Sequence, residues 1–427
     1  MMSIATRAAV RRLARLPCNR RLLTRRGALA IAMSVGAVPL DSPAHIAQEK
    51  HESAAIRLAS RLTAACCILL ACVVPGTSTD AAQRTLDQPT LVWMQAVLNN
   101  WEAVCRRDLR IAAEPLPWII FYDDNFAWHL QPEKRWLPPH EVSPHPLRFM
   151  GETYPLIRVA HQGGRLWVPD REPLPVDVAK PQVTAMPYDD QRKSFFVAPL
   201  PGLFHKLAGP DQARNLDELF LGLAAHELTH TRHYAHAMPQ ITRLRLRYKL
   251  PESFDDNIIQ QGFGVNDEYK KLYEAERTLL TKAILARDLD DCRQAVGEAL
   301  LVSQKRKDRF FVGDKEGYSS LEDIFLAMEG LAMWVQYRTA RERAPSGEEW
   351  LKTLITLSER HDAWSQEQGL GLFLLIDRLV PGWQARFLAP DFPSPFTVLG
   401  EAVGRRTPLD RAAPNRGGSV TKVIGPE

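Results

Sequence analysis

The stretch AAHELTHTRHYAH, Ala224 to His236, decides how this chain is read. Within it, His226, Glu227 and His230 spell H-E-x-x-H. On a helix, residues four apart project to the same side, so the two imidazoles can meet one metal ion. Glu227 stands one step round, close to the metal but not bound to it. There it can take a proton from a zinc-activated water and pass it to a leaving amine. The surrounding pattern is helical from Asn215 to about His236, with Leu216, Leu219, Phe220 and Leu223 on one face. Asn215 is the expected N-cap, with Glu218 three residues on. Zinc (Zn2+) is the cofactor this pattern calls for.

Two histidines do not complete a catalytic site, which usually takes three protein ligands and a water. The chain offers several third donors. His236 falls where a metzincin-like HExxHxxGxxH pattern has its last histidine, but His233 replaces the glycine that would end the helix. On a continuing helix, His236 would face away from the metal, about 240° round from His230. Glu252 and Glu276 lie nearer in sequence, the first in the loop-like LPESFDD and the second among several solvated acids. Glu329 lies in LEDIFLAMEGLAMWVQYR, set among Phe325, Leu326, Met328, Leu331 and Trp334. A lone carboxylate is costly to bury there without a partner.

LEDIFLAMEGLAMWVQYR resembles the E-G-x-A-x-[YW] element of aminopeptidase-like gluzincins, in which small residues let helices approach around the metal. Together with HELTH, it makes the span from about Ser194 to Arg341 similar to a gluzincin-type zinc metallopeptidase domain. That resemblance implies a zincin-like fold, with His226, His230 and Glu329 as metal ligands and Glu227 as general base. It also implies a sheet edge strand that pairs with substrate, for which SFFVAPLP (Ser194–Pro201) is the expected segment. Tyr318, Tyr337 and His233 are candidate oxyanion donors, and Glu322 is a candidate support for a ligand histidine. The chain departs from the aminopeptidases in the long separation of His230 from Glu329 and in lacking a G-x-M-E-N stretch. The expected activity is peptide-bond hydrolysis on a peptide or protein substrate. The alternatives are a metzincin-like protease using His236 and a non-catalytic envelope protein with a structural zinc.

Outward from the motif, the pattern is α+β: a small mixed sheet followed by a mainly helical domain. A helix is expected over about Leu86–Arg107, and strands at PLPWIIFYDD, HQGGRLWVPD, QVTAMP and SFFVAPLP. The Pro- and His-rich region Gln131–Pro146 reads as loop. Helices follow at about Asn266–Leu285, Asp288–Lys307, Ser320–Arg341 and, as a pair, Gly347–Leu379. The expected organisation is a leader over 1–80, a sheet-rich part over 81–210, a helical part over 211–403 and a disordered tail over 404–427.

Charge is unevenly placed. Residues 1–79 hold 11 of the 54 Lys and Arg but only 3 of the 50 Asp and Glu, so the rest carries 43 basic and 47 acidic residues. The body has no basic excess, and the sequence gives no case for nucleic acid as a partner. The leader carries two export-like runs, RRLLTRRGALAIAMSVGAVPLDSPA and RLTAACCILLACVVPG, each basic, then apolar, then small-residue. The first loosely resembles a twin-arginine signal. In the second, LLAC resembles a lipobox with Cys72 as the lipidated residue. The expected location is exported, periplasmic or secreted, with membrane contact only through the leader or a lipid anchor. Cys105 and Cys292 are the body's two cysteines, and the sequence leaves their pairing open.

Overall fold

A computed structural model of the chain describes residues 32–33, 86–111, 116–132, 137, 140–161, 165–168, 174–175, 181–188, 193–208, 213–251, 254–343 and 363–404. Both export-like runs, apart from Ala32 and Met33, fall outside these residues, as do the Gly163-Gly164 step within HQGGRLWVPD, where a hairpin turn is expected, Glu252, the first part of the 347–379 pair and the tail beyond Gly404.

The fold is α+β, a mixed sheet followed by a mainly helical part. The first helix, α1 (Gln88–Ala103), starts where Asp87 accepts the backbone N–H of Thr90, and it buries Leu91, Met94, Leu98 and Trp101. A π-helical turn, Val104–Leu109, ends at Arg110 with φ of 55°.

Six strands build the sheet: β1 (Trp118–Tyr122), β2 (Phe126–Leu130), β3 (Glu141–Val142), β4 (Ile157–Ala160), β5 (Gln182–Tyr188) and β6 (Lys193–Pro199). Their order is β5-β6-β1-β2-β4-β3, with the two-residue strand Ala32–Met33 beside β5. Only β6 with β1 is parallel among the six, with Phe196 opposite Ile119. The turn from β1 to β2 is held by Asp123, whose Oδ1 accepts the N–H groups of Asn125 and Phe126. β1 is buried along its whole length because both faces are covered. Ile119 and Phe121 face the helices, while Trp118, Ile120 and Tyr122 join Leu166, Val168 and Leu203 on the far side.

SFFVAPLP is therefore not an edge. It runs as β6 between β5 and β1, and Phe196 is fully buried. An uninterrupted apolar run is the mark of a strand covered on both faces. Among the six, the outer position belongs to β5, which is unpaired on that side beyond Val183 among the described residues and where Pro187, lacking an N–H, is tolerated.

The helical part begins with α2 (Ala213–Tyr248), which carries the H-E-x-x-H motif. It starts two residues before Asn215, so Asn215 lies inside the helix rather than capping it. It also runs on through Pro239, past the expected end at His236. Proline costs the helix a hydrogen bond. Ala237 and Ile241 continue the buried face into a second apolar cluster, which keeps the helix intact. Next come α3 (Asp267–Leu285), capped by Asn266, and α4 (Leu289–Phe310), capped by Asp288. Then follow α5 (Gly317–Arg343) and α6 (Trp364–Leu379). Both α2 and α6 pack along α5.

The small residue Gly330 works on α6, not on α2. A Cβ at Gly330 would lie 2.7 Å from Gly369 O, and one at Gly369 would lie 2.7 Å from Gly330 Cα, so the two backbones touch there. Cys105 and Cys292 are buried and are not joined in a disulfide. No helix among the described residues is long and apolar enough to cross a membrane.

Candidate metal centre

The i, i+4 spacing on α2 brings His226 and His230 to one side, with their Nε2 atoms 3.1 Å apart. Glu329, from the middle of α5, meets them. Its Oε2 lies 3.6 Å from His226 Nε2 and its Oε1 3.3 Å from His230 Nε2. All three side chains are buried, and their donor atoms lie within 4.8 Å of one another. This is the one such cluster of metal-ligating side chains among the described residues. It is consistent with a gluzincin-like ligand set.

The electrostatics follow from enclosure. Burial opposes ionisation of Glu329, but the charges and hydrogen bonds of His230 and His226 outweigh it and hold the carboxyl well below the usual range. Gln366, on α6, donates to Glu329 Oε2 at 3.1 Å and fixes its orientation. The close contact of Gly330 with Gly369 places that glutamine within reach. The imidazoles are oriented by packing, since neither Nδ1 has a hydrogen-bond partner among the described residues.

Glu227 takes no part in the three-donor cluster. It turns toward the sheet, where its Oε2 accepts the backbone N–H of Ala185 on β5 at 3.0 Å. Burial pushes its carboxyl up to about 8, with His230 pulling the other way and Glu329 adding to the rise. Tyr234, one turn beyond His230, donates to Ala185 O at 3.2 Å. Two hydrogen bonds between the motif helix and β5 thus meet at Ala185.

The remaining candidates go elsewhere. His236 is partly exposed and outside the cluster, as expected for a helix that does not end at His233. Glu276 is buried against Arg306, 3.0 Å away, and accepts from Gln368. Glu322 supports no ligand histidine. It pairs with Arg306 at 2.7 Å and Lys307 at 3.5 Å, because two turns along α5 carry it away from α2 to face α4. Tyr318 packs against Phe263 and Phe311, and Tyr337 sits in the main core. His233 is buried near the centre, its ring 6.4 Å from that of His230. Burial, with His230 next, lowers its pKa to about 3 and keeps it neutral.

Three side chains near the centre were not singled out from the sequence: Gln366, Tyr234 and Asp256. Tyr234 had a legible signal, the same i, i+4 spacing that links the histidines. Gln366 and Asp256 reach the site from distant segments.

Comparison with protein families, curated proteins and solved structures finds no match.

Proposed function

We propose that this chain is a zinc-dependent metallopeptidase that hydrolyses peptide bonds, with Glu227 as general base. The observation that carries the reading is the convergence of His226, His230 and Glu329 with Glu227 beside them, tied to the outer strand. The donor set fits zinc. Two imidazoles and a carboxylate are its common ligands at bond lengths of about 2.0–2.2 Å, which set tetrahedral edges of about 3.3–3.6 Å. The separations of 3.1, 3.3 and 3.6 Å lie close to that range. Held there, zinc would supply Lewis acidity toward a water and a substrate carbonyl.

The chain's own residues supply the rest. Glu227, in a water-poor setting, accepts the proton of the attacking water and delivers it to the leaving amine. The Ala185 N–H holds the carboxylate in place. The outward N–H and C=O of Ala185 are taken by Glu227 and Tyr234, so β5 serves here to hold the general base rather than to add a substrate strand. From Thr184 onward, no further strand lies on that side of β5 among the described residues.

A structural zinc is the second reading. A closed structural site takes four protein ligands. Among the described residues the cluster has three, with a carboxylate nearby that is not one of them, and this favours catalysis. Replacing Glu227 with Gln separates the two. The proposal expects a full zinc complement and a loss of peptide hydrolysis of at least about a hundredfold, the usual scale for a lost general base. Hydrolysis retained at the original rate would contradict it.

A further inference from the structure

One buried carboxylate near the centre is neither a metal-ligating group nor part of an ion pair. Asp256 is 6% exposed, and no Lys or Arg among the described residues pairs with it. The other enclosed acids on this side are matched: Glu276 and Glu322 by Arg306, Asp323 by Lys307 and Glu367 by Arg277. Asp256 has hydrogen bonds instead. Its Oδ2 accepts from Ser365 Oγ at 3.0 Å, and its Oδ1 from Asn257 Nδ2 at 3.1 Å. A polar group is costly to bury unless such bonds are made, so these two partners account for its place.

Ser365 stands in the first turn of α6, a turn that does not cap itself. The helix starts at Trp364, and Ala363 at the cap position makes no side-chain hydrogen bond to it. The groups that serve instead come from the stretch that separates His230 from Glu329 in sequence. Gln260 Oε1 accepts the backbone N–H of Trp364 at 3.4 Å, and Tyr273 Oη donates to Trp364 O at 3.3 Å. The Trp364 ring packs against those of Tyr269 and Tyr273, with centroids 5.8 and 4.2 Å away. Asp256 holds the next residue, Ser365. The residue after that is Gln366, whose Nε2 donates to Glu329 Oε2 at 3.1 Å.

Three consecutive residues of α6 thus lead from this stretch to the metal centre. Adjacent residues of a helical turn move together, because the backbone angles of the turn are fixed. One turn further on, the contact of Gly369 with Gly330 already holds α6 against α5. What remains to be set is the start of the helix, and with it the reach of Gln366.

We propose that Asp256 is a positioning residue for the metal centre: it fixes the first turn of α6 and, through Gln366, the orientation of Glu329. The inference rests on the metal-binding part of the peptidase reading and deepens it. It also gives a use to the long separation of His230 from Glu329, since Asp256, Gln260 and Tyr273 all lie within it.

The test measures the zinc affinity of the full chain by competition with a chelator, so no hydrolysis is needed. Asp256→Ala should weaken zinc binding about tenfold, the lower end of the range for a lost outer partner of a metal ligand. Ser365→Ala breaks the same bond from the other side and should do the same. Asp256→Asn keeps an acceptor for Ser365 and should bind zinc within about twofold of the unaltered chain. A cycle with Gln366→Ala identifies the route. Once Gln366 is gone, Asp256→Ala should change zinc affinity by less than about twofold. Unchanged affinity in both Asp256→Ala and Ser365→Ala overturns the inference, and so does a further loss of about tenfold on top of Gln366→Ala. Lowered urea stability with zinc affinity intact would mean that the bond serves the fold alone. Should Asp256→Ala not fold, Ser365→Ala carries the same cycle. An unaltered chain that takes up no zinc sinks the metal reading and the inference together. One that binds zinc equally well without the Asp256–Ser365 bond sinks the inference alone.

Discussion

Two carboxylates on one helix, Glu322 and Glu329, are two turns apart, and both are buried. Glu322 meets Arg306 and Lys307, with Tyr269 Oη donating to it at 3.3 Å. Its cations are supplied by the chain. Glu329 meets two imidazole nitrogens only 3.1 Å apart, and at that separation a single proton can lie between them. The first cluster is a closed set of charges that ties α3 and α4 to α5. The second gathers three electron-pair donors around one point, an arrangement that suits a metal ion. Burial alone therefore does not mark a functional acid. What distinguishes it is whether the protein supplies the compensating charge.

The comparison breaks most visibly at Arg306. It is fully buried and bound to both Glu276 and Glu322. Arg306→Met strands these two carboxylates and should cost about 3–5 kcal/mol in urea unfolding, the scale for one partner lost from a buried pair. A loss below about 1 kcal/mol would mean that the cluster is not holding the helices.

A smaller effect is expected on the metal side. Gln366→Ala removes the hydrogen bond to Glu329 Oε2 but none of the three donors. Zinc affinity, measured by competition with a chelator, should fall about 10- to 100-fold with unfolding nearly unchanged. Equal affinity would show that packing alone orients the carboxylate.

A third effect is a pH slope far from either cluster. His129 is buried in the sheet and accepts from Trp118 Nε1 at 3.0 Å. Burial, with His140 next, lowers its pKa from 6.5 to about 3. It stays neutral in the fold over that interval, while the unfolded chain takes up a proton. Stability therefore declines as pH falls from about 6.5 toward 3, by up to about 1.4 kcal/mol per pH unit from this group. His129→Gln keeps an acceptor for Trp118 and should flatten the decline. An identical slope in both proteins would count against a neutral buried imidazole.

The metal-side helices were legible because their signals are local. His226, His230 and Tyr234 follow one helical period, and the apolar neighbours of Glu329 make an idle carboxylate there costly. The order of strands was harder. SFFVAPLP lies next to the motif helix in sequence, yet the continuous burial of Phe195–Leu200 places it inside the sheet, and Pro187 pointed to β5 as the outer strand. Partners drawn from distant segments left no signal. Ser365 lies 109 residues from Asp256, and Gln368 lies 92 from Glu276. Nothing in the periodicity of either segment specifies the other. The same holds for Glu322, which shares a side of α5 with Glu329 but lies about 10 Å along the axis, at the level of Arg306 rather than of the histidines.

The most direct test of the metal centre is the zinc content of the full chain purified without chelator, measured beside Glu329→Gln and His230→Ala. The account predicts about one zinc per unaltered chain and a large loss in both variants, with folding retained. A metal-free unaltered chain, or zinc fully retained without Glu329, would contradict it.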